Sequence, residues 1–220
     1  MHFTAVLFDL DGTLLDTLQD LAESTNTVLA RHGYPEHPTD AYRYFVGDGV
    51  EKLVVRTLPE AARIDSVISD CVREMRDEYA NRWDNETRLY DGIAALLDHL
   101  ETMRIVKAIL SNKPDDFTHQ MVDTYLGDWS FAEVHGARES VPRKPDPTAA
   151  LAIARRLSIP VERFLYVGDT NTDMETARSA GMHAVGALWG FRTERELRDS
   201  GAQALVSEPQ DMLSLLRRRP

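Results

Sequence analysis

Only one cysteine, Cys71, occurs in the chain. An internal disulfide and a thiolate metal cluster are therefore excluded, and Cys71, set in the helical stretch 66–79, is expected to serve packing. Histidine does not fill the gap, because the seven histidines include no close pair at ligand spacing. No apolar stretch approaches the ~20 residues that a membrane-spanning helix needs. The strand-like run at 3–8 is too short, and too soon followed by acids, for a signal peptide, so the expected location is cytoplasmic. Positive charge is scarce as well: 25 Lys and Arg stand against 36 Asp and Glu, a formal net charge of −11. A surface this acidic repels nucleic acid and anionic lipid unless basic residues cluster. The one basic run, 217–219, sits beside the terminal Pro220 and is expected to be a solvated tail. Neither nucleic acid nor membrane is expected as a partner.

What is present is the material of an ordinary globular protein. Apolar residues make up 43% and charged residues 28% of 220 positions, enough for a large core with room for a small second domain. Short apolar runs at 3–8, 105–110, 164–167, 183–188 and 204–206, with a weaker one at 133–135, read as buried strands. Helical patterns at 93–103, 117–126, 148–157 and 174–180 lie between them. Alternation of this kind predicts an α/β fold with a Rossmann-like parallel sheet and helices on both faces. Capping signals agree: Asp146-Pro147 opens a helix, Thr172 to Glu175 and Thr193 to Glu196 have capping-box spacing, and Gly181 suits a left-handed helix end.

One interval breaks the rhythm. Residues 16–89 hold helical segments at 18–31, 50–58 and 61–83 but no convincing strand, and this is too long for a simple crossover of about 30 residues. The expected organisation is a catalytic core of residues 1–15 and 90–220, interrupted by an all-helical cap domain at 16–89.

The chemistry-bearing residues fall where strands end, which is where open α/β sheets bind ligands. Asp9-Leu10-Asp11-Gly12-Thr13 follows the first strand and offers two carboxylates, one able to attack and one to carry a proton. Ser111-Asn112-Lys113-Pro114 follows the strand at 105–110, and a hydroxyl with loose amides there can hold phosphoryl oxygens. In Arg143-Lys144-Pro145-Asp146-Pro147 the prolines stiffen the approach to a helix and could aim Lys144 inward. Asp169 leaves a buried strand, where a carboxylate needs a cation or donors, and Asp173 lies in the next helical turn. Taken singly, each has a plain structural explanation: an Asp-Gly turn, a helix cap, a surface lysine, an acid favoured near a helix start. Together and in this order they supply a nucleophile, a proton carrier, a hydroxyl, a fixed cation and metal-binding acids. Trp189-Gly190-Phe191 reads as packing.

These four elements resemble the four motifs of the haloacid dehalogenase superfamily, and the helical insertion resembles its type 1 cap. Ser-Asn-Lys-Pro, Arg-Lys-Pro-Asp-Pro and Val46-Gly47-Asp48-Gly49-Val50 look most like bacterial phosphoglycolate phosphatases. The resemblance implies a phosphatase acting on a small phosphorylated metabolite through a phosphorylated Asp9, with Asp11 as acid and base and with Ser111 and Lys144 binding the phosphoryl group. It implies Mg²⁺ held by Asp9, the backbone carbonyl of Asp11, Asp169 and Asp173, an expectation that the all-oxygen ligand set supports. Thr13, Gly47, Gly49, Lys52 and Asn112 are the candidate substrate-binding residues, with Arg43 and Arg56 also placed to meet a carboxylate. The usual Gly-Asn-Gly of the cap is here Gly-Asp-Gly, and Asp48 facing an anionic substrate would be unfavourable. A phosphosugar mutase and a nucleotide or pyrophosphate phosphatase remain alternatives. A monomer or weak homodimer is expected.

Overall fold

The computed structural model describes residues 3–216, so the basic run 217–219 lies outside the described residues. The chain opens with β1 (Ala5–Phe8) and β2 (Leu15–Asp16), then four helices follow: α1 (Leu18–Arg31), α2 (Tyr42–Phe45), α3 (Val50–Thr57) and α4 (Asp65–Ala80). After β3 (Arg88–Leu89) come α5 (Ile93–Thr102), β4 (Val106–Pro114), α6 (Asp115–Tyr125) and β5 (Glu133–Ala137). The last third runs α7 (Thr148–Leu157), β6 (Phe164–Gly168), α8 (Asn171–Ala180), β7 (His183–Ala187), α9 (Glu194–Asp199), β8 (Ala204–Val206) and α10 (Met212–Leu216). Two compact units result, one of Met1–Leu15 with Leu89–Pro220 and one of Asp16–Arg88. Among the described residues, no helix is long and apolar enough to cross a membrane.

In the first unit six strands form one sheet in the order β5-β4-β1-β6-β7-β8, every pair parallel. From β1 the order steps outward through β4 and β5, then resumes at β6 on the other side of β1 and continues through β7 and β8. The reversal lies between β1 and β6, and a crevice opens at the carboxyl ends of two such strands. Burial explains why the strands read as continuous apolar runs. Ala5, Leu7, Ala108, Leu110, Phe164 and Tyr166 pack with Ala150 and Ile153 of α7 and Met174 and Ala177 of α8. The alternate residues Val6, Phe8, Ile109, Leu165 and Val167 are at most 1% exposed, so both sheet faces are covered.

Several local expectations shift. α8 begins at Asn171 rather than 174, and α6 at Asp115 rather than 117. Their first turns are acidic, which suits the helix dipole but leaves no apolar period to detect. The capping box of α8 uses Thr170 with Asp173, not Thr172, which lies inside the helix. Thr170 is extended as it leaves β6 (φ −124°, ψ 162°), the conformation a cap needs. Thr193 with Glu196 forms the second box as expected, and Gly181 caps α8 at φ 74°. β4 runs on through Ser111, Asn112 and Lys113, with an irregular register between Leu110 and Pro114, so these residues lie in the strand rather than after it. Cys71, Met75 and Met121 are buried as packing residues.

The second unit is helical, with α1 against α4, α3 against α4 and α2 between α1 and α3. β2 and β3, two residues each and too short to show a period, pair with one another. Asp20 of α1, fully buried, accepts the main-chain N–H groups of Glu86 and Thr87 and the Thr87 hydroxyl, at 2.7–3.1 Å. Removing that carboxylate strands buried donors. Asp20→Ala is expected to lower stability by about 2–4 kcal/mol, with a smaller loss for Asp20→Asn, as read from urea denaturation.

Candidate active site

The site assembles from the end of β4 and from the segments that follow β1, β5, β6 and β7. Asp9 continues β1 by one residue, its N–H donating to Val167 O of β6 at 2.9 Å. The loop then curls back: the Leu10 carbonyl accepts the N–H groups of Thr13, Leu14 and Leu15, and the Gly12 N–H donates to Leu15 O. Gly12 has φ +85°, and a Cβ there would strike the Asp169 carboxylate. Glycine is required twice over, for the turn and for the approach of β6.

Lys144 is the hub. Its ammonium lies 2.8 Å from Asp9 Oδ1 and 2.7 Å from Asp173 Oδ1, with the side chain 2% exposed. Asn112 holds the lysine's main chain at both ends, its Oδ1 accepting the Lys144 N–H and its amide donating to Lys144 O. Asn112, expected to bind substrate, is thus placed against Lys144. Asp173 turns its other oxygen to the Thr170 N–H and hydroxyl. Thr13, also expected to bind substrate, is fully buried and donates its hydroxyl to Asp169 Oδ1 at 2.9 Å. Ser111 is 3% exposed and accepts the Lys113 N–H. Among the described residues its hydroxyl proton meets no acceptor.

Asp9, Asp169 and Asp173 each offer a carboxylate oxygen within 4.8 Å of the others, and all three are buried. Three carboxylates against one ammonium leave two negative charges in a low-dielectric site, which a divalent cation would cancel. The oxygen-only donor set fits a hard cation. The Asp11 carboxylate is not part of this cluster; it pairs with Lys113 Nζ at 2.9 Å. Gly47, Gly49 and Lys52 belong to the helical unit, where Gly47 and Gly49 have φ of 122° and 89°. In that unit Arg56 pairs with Asp48 and donates to Phe45 O at 2.9 Å, while Arg43 lies 3.6 Å from Asp40.

The segment after β7 has a part in the site that sequence did not reveal. The Phe191 N–H donates to Asp169 Oδ2 at 2.8 Å, and Trp189 Nε1 donates to Thr13 O at 2.9 Å. A Cβ on Gly190 would collide with Asp169 and with the Gly12 carbonyl. Trp189-Gly190-Phe191 thus orients Asp169. The available signal was a glycine between two aromatics at a strand end, which is also what simple packing produces. Lys113 was likewise missed, since nothing local pairs it with a residue 102 positions away.

Burial, then the neighbouring Asp173, pushes the Asp169 carboxyl up to about 7, against the Phe191 N–H and the Thr13 hydroxyl. Burial and Asp173 likewise hold Asp9 well above the usual carboxylate range despite Lys144. Burial pulls the Lys144 ammonium down, but Asp173 and Asp9 outweigh it and raise it. A carboxyl raised on folding adds stability that is complete below its unfolded value near 4. That stability is lost as pH rises through about 7. The metal-free protein should therefore lose stability across that window from this group, and a divalent cation should restore increasingly more of it as pH rises. Thermal melts with chelator and with cation, from about pH 5 to 8, should diverge upward; parallel curves would contradict the assignment.

A family model described as haloacid dehalogenase-like hydrolase matches residues 6–187, a span that contains Asp9, Asp11, Ser111, Lys144, Asp169 and Asp173. A phosphoglycolate phosphatase of Pseudomonas putida is 31% identical over 215 residues, covering 96% of this chain and 78% of that protein. One from Xanthomonas campestris pv. campestris is 33% identical over 209 residues, covering 93% and 92%. A crystal structure from Lactobacillus delbrueckii subsp. bulgaricus matches with TM-score 0.92 at 26% identity, over 98% of this chain and 99% of that one. The fold is shared by a haloacid dehalogenase-like family protein from Streptococcus pneumoniae, with TM-score 0.88, 23% identity and coverage of 98% and 99%. With the motifs in place and the family model spanning most of the sequence, the chain belongs to the haloacid dehalogenase-like hydrolases.

Proposed function

We propose that this chain is a Mg²⁺-dependent phosphatase of a small cytoplasmic metabolite, with 2-phosphoglycolate as the preferred substrate. One observation carries the reading. Asp9 is anchored through one carboxylate oxygen to Lys144, and among the described residues its second oxygen has no hydrogen-bond partner. A carboxylate fixed at one oxygen and free at the other is a pre-aimed nucleophile.

In the proposed reaction the free oxygen of Asp9 bonds to phosphorus as the bond to the leaving oxygen breaks, and Asp11 gives that oxygen a proton. Water then attacks phosphorus, Asp11 takes its proton, and phosphate leaves with Asp9 restored. The Ser111 hydroxyl and the Lys144 ammonium meet the phosphoryl oxygens as charge develops on them. Asp9, Asp169 and Asp173 would hold Mg²⁺, which when bound supplies positive charge beside the phosphoryl group. Asn112 acts by positioning Lys144, and Thr13 with the Phe191 N–H by positioning Asp169.

The choice of leaving group is assigned to the helical unit as a cap, with Gly47, Gly49 and Lys52 as its contacts. Phosphoglycolate is supported by the names of the Pseudomonas and Xanthomonas relatives. Asp48 does not oppose it, because Arg56 offsets its charge within that unit.

Phosphate release from 2-phosphoglycolate is to be measured against sugar phosphates, nucleotides and pyrophosphate, with Mg²⁺ or with chelator. A Mg²⁺-dependent preference for 2-phosphoglycolate is expected. Preference for another ester would move the substrate and leave the mechanism, whereas hydrolysis of none would end the phosphatase reading. Asp9→Asn should cut kcat by at least about 10³-fold and Ser111→Ala by about 10²–10³-fold, each with the fold retained by circular dichroism.

A further inference from the structure

We infer that Lys113 is a positioning residue that fixes which oxygen of Asp11 carries the proton in the leaving-group step. The inference rests on the role proposed above for Asp11. The Lys113 ammonium lies 2.9 Å from Asp11 Oδ1, with side chains 4% and 12% exposed. They come from the ends of neighbouring strands, Lys113 from β4 and Asp11 from the loop after β1. Among the described residues the Asp11 carboxylate has no other polar partner. Asp11 is also the one carboxylate of Asp9, Asp11, Asp169 and Asp173 that stands outside the metal-type cluster.

Lysine has three N–H donors and no acceptor. Its partner oxygen must therefore accept, whether Asp11 is ionised or protonated. A carbonyl oxygen accepts from an ammonium better than a hydroxyl oxygen does, so when Asp11 is the acid its proton is favoured on Oδ2, the oxygen without a partner. An ion pair this far out of water adds little net stability, since desolvation offsets the attraction. Orientation is the effect left to it. In the first step the bond from Asp9 to phosphorus forms, the bond to the leaving oxygen breaks, and the Oδ2 proton passes to that oxygen to give the free alcohol. In the second step a water oxygen bonds to phosphorus, the bond to Asp9 breaks, and the water's proton returns to Oδ2. Without Lys113 the carboxyl turns freely and the proton is shared between its two oxygens.

The loss should fall on esters whose leaving group needs that proton. An alkoxide such as that of glycolate is a poor leaving group without it; 4-nitrophenolate departs as a stable anion. The test is kcat/KM for 2-phosphoglycolate and for 4-nitrophenyl phosphate in the wild type, Lys113→Met and Lys113→Arg. Lys113→Met is expected to lower the alkyl-to-aryl ratio at least tenfold, within the ~10²–10⁴ that general acid catalysis contributes. Lys113→Arg, which also only donates, should recover most of the ratio. Should the Met variant fail to fold, Lys113→Gln is read in its place, because its amide can accept as well as donate and so does not confine the proton. In an Asp11→Asn background, Lys113→Met should change the ratio no further. Equal losses on both esters, or an unchanged ratio, would overturn the inference and leave the phosphatase reading standing. Hydrolysis of neither ester by the wild type would end both.

Discussion

Everything in the site hangs on one buried ammonium held between two carboxylates. Lys144 touches Asp9 and Asp173 at 2.8 and 2.7 Å and joins the end of β1 and the first turn of α8 to the segment that leads into α7. Stripping such groups of water costs several kcal/mol each, and one cation cannot repay three carboxylates. The first unit therefore gathers an excess of acids in its interior, and burial with their mutual repulsion raises the Asp9 and Asp169 carboxyls. That excess is what fits the pocket to a divalent cation and a phosphoryl group, and it is why the site is a poor contributor to stability on its own.

The sheet order makes this charge cluster possible. Because β1 lies between β4 and β6, the loop at 9–13, the end of β4 at 111–114 and the turn into α8 at 169–173 emerge side by side although they lie far apart in sequence. Glycines let them approach closely. Gly12 and Gly190 give the Asp169 carboxylate its room, and Gly168 does the same for Asp173, where any Cβ would clash. The capping box of Thr170 with Asp173 joins the two themes, since one carboxylate both starts a helix and anchors the lysine.

Much of this was legible beforehand, for reasons that particular residues show. The strands at 3–8, 164–167 and 183–188 could be read because a parallel sheet buried on both faces demands uninterrupted apolar runs. Asp9, Ser111 and Asp169 follow such runs, Lys144 lies among prolines that stiffen the approach to a helix, and Asp173 sits in the next helical turn; singly each has a plain structural explanation, and only their joint order points to a site. The first turns of α6 and α8 escaped notice because acids, which suit a helix start, erase the apolar period. The bonds of Asn112 to Lys144 and of Thr13 to Asp169 were not legible, because a sequence displays a donor and an acceptor without saying which partner they meet.

The sequence by itself determined the fold class, the long helical interruption and the chemical types gathered at strand ends, since these depend on local periodicity and on the cost of burying polar groups. Tertiary structure alone decided the pairings: Lys113 with Asp11 across 102 residues, Trp189 with Thr13 across 176, Arg56 with Asp48 inside the helical unit. A hydrogen bond is chosen by distance in space, and distance in space between remote segments is set by sheet order and packing, which no local pattern encodes.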